Sequence, residues 1–215
     1  MCQDVFANVE DSEYSLIALA DGVSVCRNGR TGAERTLDAL WDFIRIEGSR
    51  IFEYTPRKLS YLLLEHVRYF VELASVEEAD GIDSFSSTLI FACAEKKTGR
   101  VVAGNLGDGG IWGFWDHALR VVSAPGRYAN KTFVTTSKFA HKAMDLYYHH
   151  LSPGDSILLG SDGFVSALRR SSVLLSGAME NFELEKLDQY LEEFPEADDC
   201  TYVAVRRPRQ ITERN

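Results

Sequence analysis

Two short runs of apolar residues each lead into an aspartate followed by a glycine. Residues 16–20 are all apolar and precede Asp21-Gly22, and the mostly apolar residues 156–160 precede Ser161-Asp162-Gly163. A bounded apolar run of this length predicts a strand that is buried on both faces. Each aspartate then stands at a strand end, where the glycine permits a sharp turn. One such pair indicates only a turn, but its repetition makes both strand ends candidate functional positions.

Helical spacing of apolar residues is found in the first third of the chain. Residues 33–44 carry an apolar stripe on one helical face, and Gly48 marks the predicted end of that helix. Thr55-Pro56 supplies an N-cap and a first-turn proline for a second helix, whose stripe covers residues 59–73. We interpret both stripes as core packing and not as cofactor contacts.

Strand patterns fill most of the remaining chain. Residues 4–8 and 15–20 are predicted to pair, and residues 88–94, 101–106, 111–115 and 119–123 are predicted to form an antiparallel meander. Further strands are predicted at residues 131–136, 145–150 and 201–206, with helices at 165–178 and 182–194. Because helices and strands are segregated along the chain, the pattern favours an α+β fold.

Composition limits the class of protein and its partners. The chain has 215 residues, of which 45% are hydrophobic, which suits a single domain; we assign residues 1–206 to it and 207–215 to a polar tail. The formal net charge of −9 argues against nucleic acid or an anionic membrane as a partner. The sequence makes no prediction of the oligomeric state.

Cysteine usage and hydropathy indicate the compartment. The four cysteines form no Cys-x-x-Cys pair and do not cluster with histidines, so a zinc site is not expected. The N-terminus lacks the pattern of a secretory signal peptide, and no apolar run is long enough to span a membrane. We therefore expect a cytoplasmic protein.

Acidic residues recur at the ends of predicted strands. Besides Asp21 and Asp162, Asp4 opens the first strand and Asp198-Asp199 precedes the last one. Carboxylate oxygens are the ligands that Mg²⁺ and Mn²⁺ prefer, and several strand ends can converge in space. The pattern therefore predicts a site for a hard divalent cation.

Six short motifs, taken in order, resemble those of the metal-dependent protein phosphatases of the PP2C or PPM type. They are Gln3-Asp4, Ala20-Asp21-Gly22-Val23, Ser87-Thr88-Leu89, Gly104-Asn105-Leu106-Gly107-Asp108, residues 154–163 with Ser161-Asp162-Gly163, and Asp198-Asp199-Cys200-Thr201. Each motif alone is weak evidence, but the ordered set covers almost the whole chain and is specific.

The resemblance implies a fold and an activity. The fold is a four-layer α-β-β-α sandwich with two stacked antiparallel sheets. The activity is hydrolysis of phosphoserine and phosphothreonine in phosphoproteins, by a metal-activated water at a binuclear Mn²⁺ or Mg²⁺ centre. A third ion is part of this expectation, and no side chain is phosphorylated in such a reaction.

The resemblance also implies roles for individual residues. Asp21 is expected to bridge the two ions with the Gly22 carbonyl on one of them, and Asp162 and Asp198 are expected to complete the other. Asp4 belongs to the catalytic set as a carboxylate that orients bound water from outside the ligand shell. Asp108 is a third-metal ligand or a hairpin residue that accepts backbone N–H bonds; both interpretations stay open.

Some positions depart from the family pattern. Gln3 stands where some relatives have a ligating Glu, and Ser166 replaces an Asp that accompanies the third metal. The strand and the phosphate-binding Arg that precede the first motif in relatives are absent, so the domain is either minimal or shortened at its start. These departures support an alternative function, a degenerate non-catalytic PP2C-like domain that binds phosphoproteins or another partner.

Several other charged residues and histidines are explained by structural roles. Arg27, Arg30 and His141 are candidates for phosphate contact, but each is more simply explained as a solvated loop residue. The pair His149-His150 is not expected to share an ion, because neighbours on a strand point to opposite faces. Asp155 and Asp199 are interpreted as turn and capping residues.

Overall fold

The computed structural model of the chain describes residues 3–124, 132–168, 172–193 and 199–209. The strands in these ranges are β1 (Asp4–Glu10), β2 (Tyr14–Asp21), β3 (Leu89–Glu95), β4 (Arg100–Leu106), β5 (Gly110–Trp115), β6 (Ala118–Ser123), β7 (Asp145–His150), β8 (Ser156–Gly160) and β9 (Tyr202–Arg206). The helices are α1 (Gly29–Glu47), α2 (Pro56–Glu77), α3 (Ala140–Ala143), α4 (Asp162–Leu168), α5 (Ser172–Asn181) and α6 (Glu185–Glu193). None of the helices in the described ranges is long and apolar enough to cross a bilayer.

The strands form two antiparallel sheets with helices on both outer faces. One sheet has the order β1-β2-β3-β4-β7 and the other β6-β5-β8-β9. Helices α1 and α2 pack on the first sheet, and α4, α5 and α6 pack on the second. The predicted α+β sandwich of two stacked sheets is confirmed.

Alternation along the central strands assigns each side chain to a layer. On β2, Leu16 and Ala18 pack against the helices, whereas Ile17 and Leu19 pack between the sheets. On β8, Leu158 faces the outer helices, while its neighbours on the strand face the inter-sheet core. Both faces of these strands are buried, which explains why their sequences are apolar runs with no polar alternation.

The two long helices begin and end where their sequence signals predict. Helix α1 is followed by Gly48, whose φ of 56° lies in the left-handed region that glycine tolerates best. Thr55 caps α2, because its Oγ1 accepts a hydrogen bond from the Lys58 N–H at 3.4 Å. The predicted stripe of α1 is confirmed as core. The stripe of α2 is confirmed except at Leu73, which is 46% exposed.

The predicted meander is wrong at its centre. β3 pairs with β4 and β5 pairs with β6, but β4 and β5 belong to different sheets. The chain crosses between the sheets at residues 107–109, where Gly107 has a φ of 139°. The Asn105 Nδ2 fixes this crossing by donating to the Gly109 carbonyl at 3.0 Å.

The strand predicted at residues 131–136 is also wrong for the part that the structure describes. Residues 132–134 have no regular structure and a turn follows, while Lys131 lies outside the described residues. The Val134 N–H donates to the Ser137 Oγ at 3.1 Å, and the Thr135 N–H donates to the Ser87 carbonyl at 2.8 Å. A side-chain hydroxyl and a backbone carbonyl thus accept the N–H groups of Val134 and Thr135 in place of a ladder.

We predict that Gly32→Ala lowers the free energy of unfolding, although alanine is the better helix former by about 1 kcal/mol. A Cβ at Gly32 would lie 2.0 Å from the Phe85 carbonyl oxygen. The displacement that this requires costs about 1–3 kcal/mol. Urea unfolding followed by circular dichroism measures the change.

Gly177→Ala in α5 is the matched control. A Cβ there meets no heavy atom of the described residues within 4 Å. We expect this variant to be more stable than the wild type by up to about 1 kcal/mol. A Gly32→Ala protein as stable as the Gly177→Ala protein would contradict the close packing of α1.

Candidate functional site

Asp4 and Asp21 lie side by side at one end of the first sheet. The antiparallel register of β1 and β2 pairs these two residues directly, and directly opposed residues point to the same face. A side-chain hydrogen bond joins their carboxyl groups. The pairing follows from strand register, so the ladder fixes the backbone positions of both residues.

Asp162 reaches the same place from the second sheet, and Asp108 reaches it from the crossing between the two sheets. Asp162 is the first residue of α4, directly after β8, and its Oδ1 accepts from the Gly163 N–H at 2.8 Å. Asp108 lies in the turn between β4 and β5, and its Oδ2 accepts from the Thr132 Oγ1 at 2.9 Å. These two carboxylates line one small cleft together with Asp4 and Asp21.

The electrostatics of the cleft reflect this crowding. Burial raises the pKa of Asp21 to about 8, and the negative charges of Asp4, Asp162 and Asp108 contribute to the rise. Burial also raises the pKa of Asp4, and the charge of Asp199 adds to the effect. The protein therefore concentrates negative charge where ionisation is unfavourable unless a cation neutralises it.

The backbone at Asp21 is held by β3. The Asp21 N–H donates to the Thr88 Oγ1 at 3.0 Å, and the Thr88 N–H donates to the Asp21 carbonyl at 2.8 Å. In the sequence Thr88 stands out only as part of the Ser87-Thr88-Leu89 motif, and no sequence pattern predicts the contact of its hydroxyl with Asp21. The two bonds fix the position from which the Asp21 carboxylate enters the cleft.

Gly22 is packed directly against the start of α1. A Cβ at Gly22 would lie 2.4 Å from the carbonyl carbon of Gly29, so no larger residue fits between the turn and the helix. In the orientation that satisfies its partners, the Gln3 amide Nε2 donates to the Gly22 carbonyl at 2.8 Å and to the Val23 carbonyl at 3.3 Å. The carbonyl predicted to be a ligand is therefore engaged by an amide in this structure.

Asp198 lies outside the described residues, so its predicted role as a ligand stays a prediction. Asp199 is described, and its Oδ2 accepts from the Gln3 N–H at 3.1 Å. This bond joins the start of β1 to the segment before β9, a long-range contact that the interpretation as a capping residue does not include. No local pattern indicates this link between the two sheets, or the charge that Asp199 adds beside Asp4.

The hydroxyl groups nearest the cleft have structural partners. The Ser161 Oγ donates to the Asp199 carbonyl at 3.3 Å and accepts from the Thr201 N–H at 3.0 Å. Ser161 and Thr201 thus tie the end of β8 to the segment that carries Asp199. No separate role was predicted for either residue.

Other polar candidates lie in structural contacts. Arg30 pairs with Glu34 along α1, with the Nε and Oε1 atoms 3.1 Å apart, and the His141 ring packs edge-on against Tyr61 at 5.4 Å between centroids. The His149 ring stacks on Trp115 at 4.1 Å. The Asp155 Oδ2 accepts from the Ser152 N–H at 2.7 Å, which is the predicted turn contact.

The cleft presents a set of oxygen donors. The polar lining consists of oxygen groups from aspartate, serine and threonine, which suits Mg²⁺ or Mn²⁺ better than a soft metal. Across the described ranges, no three His, Cys, Asp or Glu side chains are already arranged to hold an ion. The residues therefore fit a hard cation in their chemistry, without forming a closed coordination shell by themselves.

The sequence profile of the family described as protein phosphatase 2C matches residues 1–194. The chain belongs to the protein phosphatase 2C family. The resemblance drawn from the six motifs is thereby confirmed. No curated protein sequence matches the chain significantly.

Solved structures of other proteins share the protein phosphatase 2C fold with this chain. The catalytic domain of the serine/threonine phosphatase PstP, in complex with two manganese ions, superposes with a TM-score of 0.69 at 18% identity, over 95% of this chain and 90% of PstP. The S. agalactiae serine/threonine phosphatase superposes with a TM-score of 0.68 at 17% identity, over 95% of this chain and 92% of that one. RsbX in complex with magnesium superposes with a TM-score of 0.64 at 10% identity, over 95% of this chain and 86% of RsbX.

We predict that Mn²⁺ raises the melting temperature of this protein and that a chelator lowers it. A cation that binds only the folded state stabilises it by about 2.7 kcal/mol at a hundred times its Kd. Asp21→Asn should melt higher than the wild type in chelator, because one repelling carboxylate is gone, and should gain less from Mn²⁺. Differential scanning fluorimetry measures both shifts.

Asp116→Asn is the control for loss of one negative charge. Asp116 lies in the turn between β5 and β6 with a φ of 53°, away from the cleft, and asparagine tolerates that backbone conformation. It should respond to Mn²⁺ like the wild type. A melting curve of the wild type that does not change in millimolar Mn²⁺ would argue against a cation site.

Proposed function

We propose that this protein hydrolyses phosphoserine and phosphothreonine in other proteins, in a reaction that requires Mn²⁺ or Mg²⁺. The observation that carries the proposal is the cleft in which Asp4, Asp21, Asp108 and Asp162 meet from both sheets. Membership of the protein phosphatase 2C family supports it. The phosphatase structures determined with manganese or magnesium are consistent with the choice of ions.

The proposed roles follow the positions of the residues. Asp21 would bridge two cations with the Gly22 carbonyl on one of them, and Asp162 with Asp198 would hold the other. Asp108 is the candidate ligand for a third. Bound divalent cations supply a water nucleophile at neutral pH and neutralise phosphate charge.

The chain itself contributes placement and charge. Thr88 fixes the backbone of Asp21 through two hydrogen bonds. Asp4 stays beside Asp21 through the β1–β2 register, and a side-chain hydrogen bond joins the two carboxyl groups. These contacts keep the carboxylates assembled, so that binding of cations does not require the chain to reorganise.

A covalent route through a side chain has little support in this cleft. Its two hydroxyl groups from the described residues belong to Thr88 and Ser161, and both accept hydrogen bonds from backbone N–H groups. The described residues that line the cleft include no histidine or cysteine. A nucleophilic side chain needs an adjacent base for activation, so water is the better candidate.

One observation favours the alternative, a non-catalytic domain that binds phosphoproteins. The Gln3 Nε2 donates a hydrogen bond to the Gly22 carbonyl oxygen at 2.8 Å. Relatives with Glu at this position would present a carboxylate there. An amide there competes with a cation for the carbonyl oxygen and contributes no negative charge. Ser166, exposed on α4, supplies no carboxylate for a third ion either.

We predict that Asp21→Asn lowers kcat by about a hundredfold or more, because the change disturbs both cations together. Asp162→Asn should lose activity that excess Mn²⁺ restores only in part. Asp108→Asn should be milder, since Ser166 leaves the third site incomplete. Phosphate release from a phosphothreonine peptide, with and without Mn²⁺, measures the effect.

Asp116→Asn is the control and should keep wild-type turnover. An intact protein that shows no metal-dependent turnover but binds the phosphopeptide would establish the non-catalytic alternative. Activity of Asp21→Asn equal to the wild type would contradict the assignment of Asp21.

A further inference from the structure

Strand β1 extends beyond the edge of the second sheet. Phe6 and Asn8 pair with Leu19 and Ile17 on β2, and the latter two are 3% and 1% exposed in the core between the sheets. Phe6 lies on the same face as Leu19, yet it is 65% exposed. The second sheet therefore ends, at its edge strand β9, before it covers β1.

The uncovered face of β1 forms one wall of a groove of about 620 Å³. Strand β9 and helix α6 contribute the other walls from the described residues. The groove combines an apolar part, from Phe6, Leu191 and Tyr202, with an acidic rim from Asp188 and Glu192. No lysine or arginine is among its described lining residues.

The groove lies next to the candidate phosphatase site. Thr201 lines the groove, and its N–H donates to Ser161, which lines the carboxylate cleft. On β1, Asp4 lies in the cleft and Asn8 lies in the groove. At about 3.3 Å per residue of strand, the groove extends roughly 13 Å from Asp4, the length of about four residues of extended peptide.

We propose that this groove binds the polypeptide segment that flanks the phosphorylated residue of the substrate, and that it selects segments with a lysine or arginine beside an apolar residue. The inference rests on the proposed function and names the class of substrate. The acidic rim attracts the basic side chain, and the exposed Phe6 ring offers contact area to the apolar one. The phosphorylated residue itself lies at the carboxylate cleft.

The negative charge of the groove favours a basic peptide segment over other possible partners. A nucleic acid or an acidic segment would meet Asp188 and Glu192 without a compensating cation, on a chain whose net charge is −9. A second copy of the chain would place like charges together if it presented the same acidic rim across a two-fold axis. A basic, partly apolar segment is complementary to both parts of the groove.

The test compares Glu192→Lys with Glu193→Lys. Both residues are exposed neighbours at the end of α6, and both substitutions change the net charge equally, but only Glu192 lines the groove. Wild-type protein should prefer a phosphothreonine peptide with flanking Arg and Leu over one with flanking Glu and Ser. Glu192→Lys should reduce this preference in kcat/KM by about fivefold, as expected for one exposed charge pair, and Glu193→Lys should leave it unchanged.

The apolar part is tested by Phe6→Ser against Tyr69→Ser. Both aromatic rings are exposed, but Tyr69 lies on α2, away from the groove. Only Phe6→Ser should weaken the preference for a peptide with Leu beside the phosphothreonine. Equal effects of the two variants would contradict a contact at Phe6.

A small substrate separates this inference from the proposed function. Hydrolysis of p-nitrophenyl phosphate should be the same in the wild type and all four variants, because none of the changed residues lies in the cleft. If no substrate is turned over, the proposed function fails, and fluorescence anisotropy with the same peptides still tests the groove. An equal loss of peptide preference or affinity in Glu192→Lys and Glu193→Lys, or a change of oligomeric state in Glu192→Lys alone, would overturn the inference.

Discussion

The repulsion among Asp4, Asp21, Asp108 and Asp162 is the physical constraint on which the rest of this structure depends. Four carboxylates in one cleft oppose folding in the absence of a cation. The ladder between β1 and β2 holds Asp4 beside Asp21, and the bonds to Thr88 fix the backbone of Asp21. The apolar layers on both faces of each central strand supply the stability that offsets this cost.

Much of the fold was predictable because local signals agreed with the tertiary structure. The run at residues 16–20 is apolar throughout since β2 is buried on both faces, and the periodic stripe of α1 matches its packing on one sheet. Thr55 and Gly48 mark helix ends through their own backbone chemistry. In such places a single sequence contains enough information, because the interactions that decide the structure lie within a few residues.

The sequence alone does not predict those parts of the fold that depend on contacts between distant residues. The run from β3 to β6 has the pattern of a continuous meander, but the assignment of β4 and β5 to different sheets depends on turn geometry at Gly107 and on the Asn105 side chain. Within the site, Asp21 and Asp162 are predictable from the apolar runs before them, whereas Asp4 opens a strand and Asp108 is indicated by the family motif. The bond from Gln3 to Asp199 joins residues nearly a whole chain apart, which no local pattern encodes.

The backbone contact between Gly22 and Gly29 has a mechanical consequence. With no side chain at either position, the first turn of α1 and the turn after Asp21 are in direct backbone contact. The Gly22 carbonyl therefore belongs to a turn that packs on the first turn of a helix of nineteen residues. A tilt of α1 about its packing on the sheet would displace that oxygen without any intervening side chain to absorb the motion.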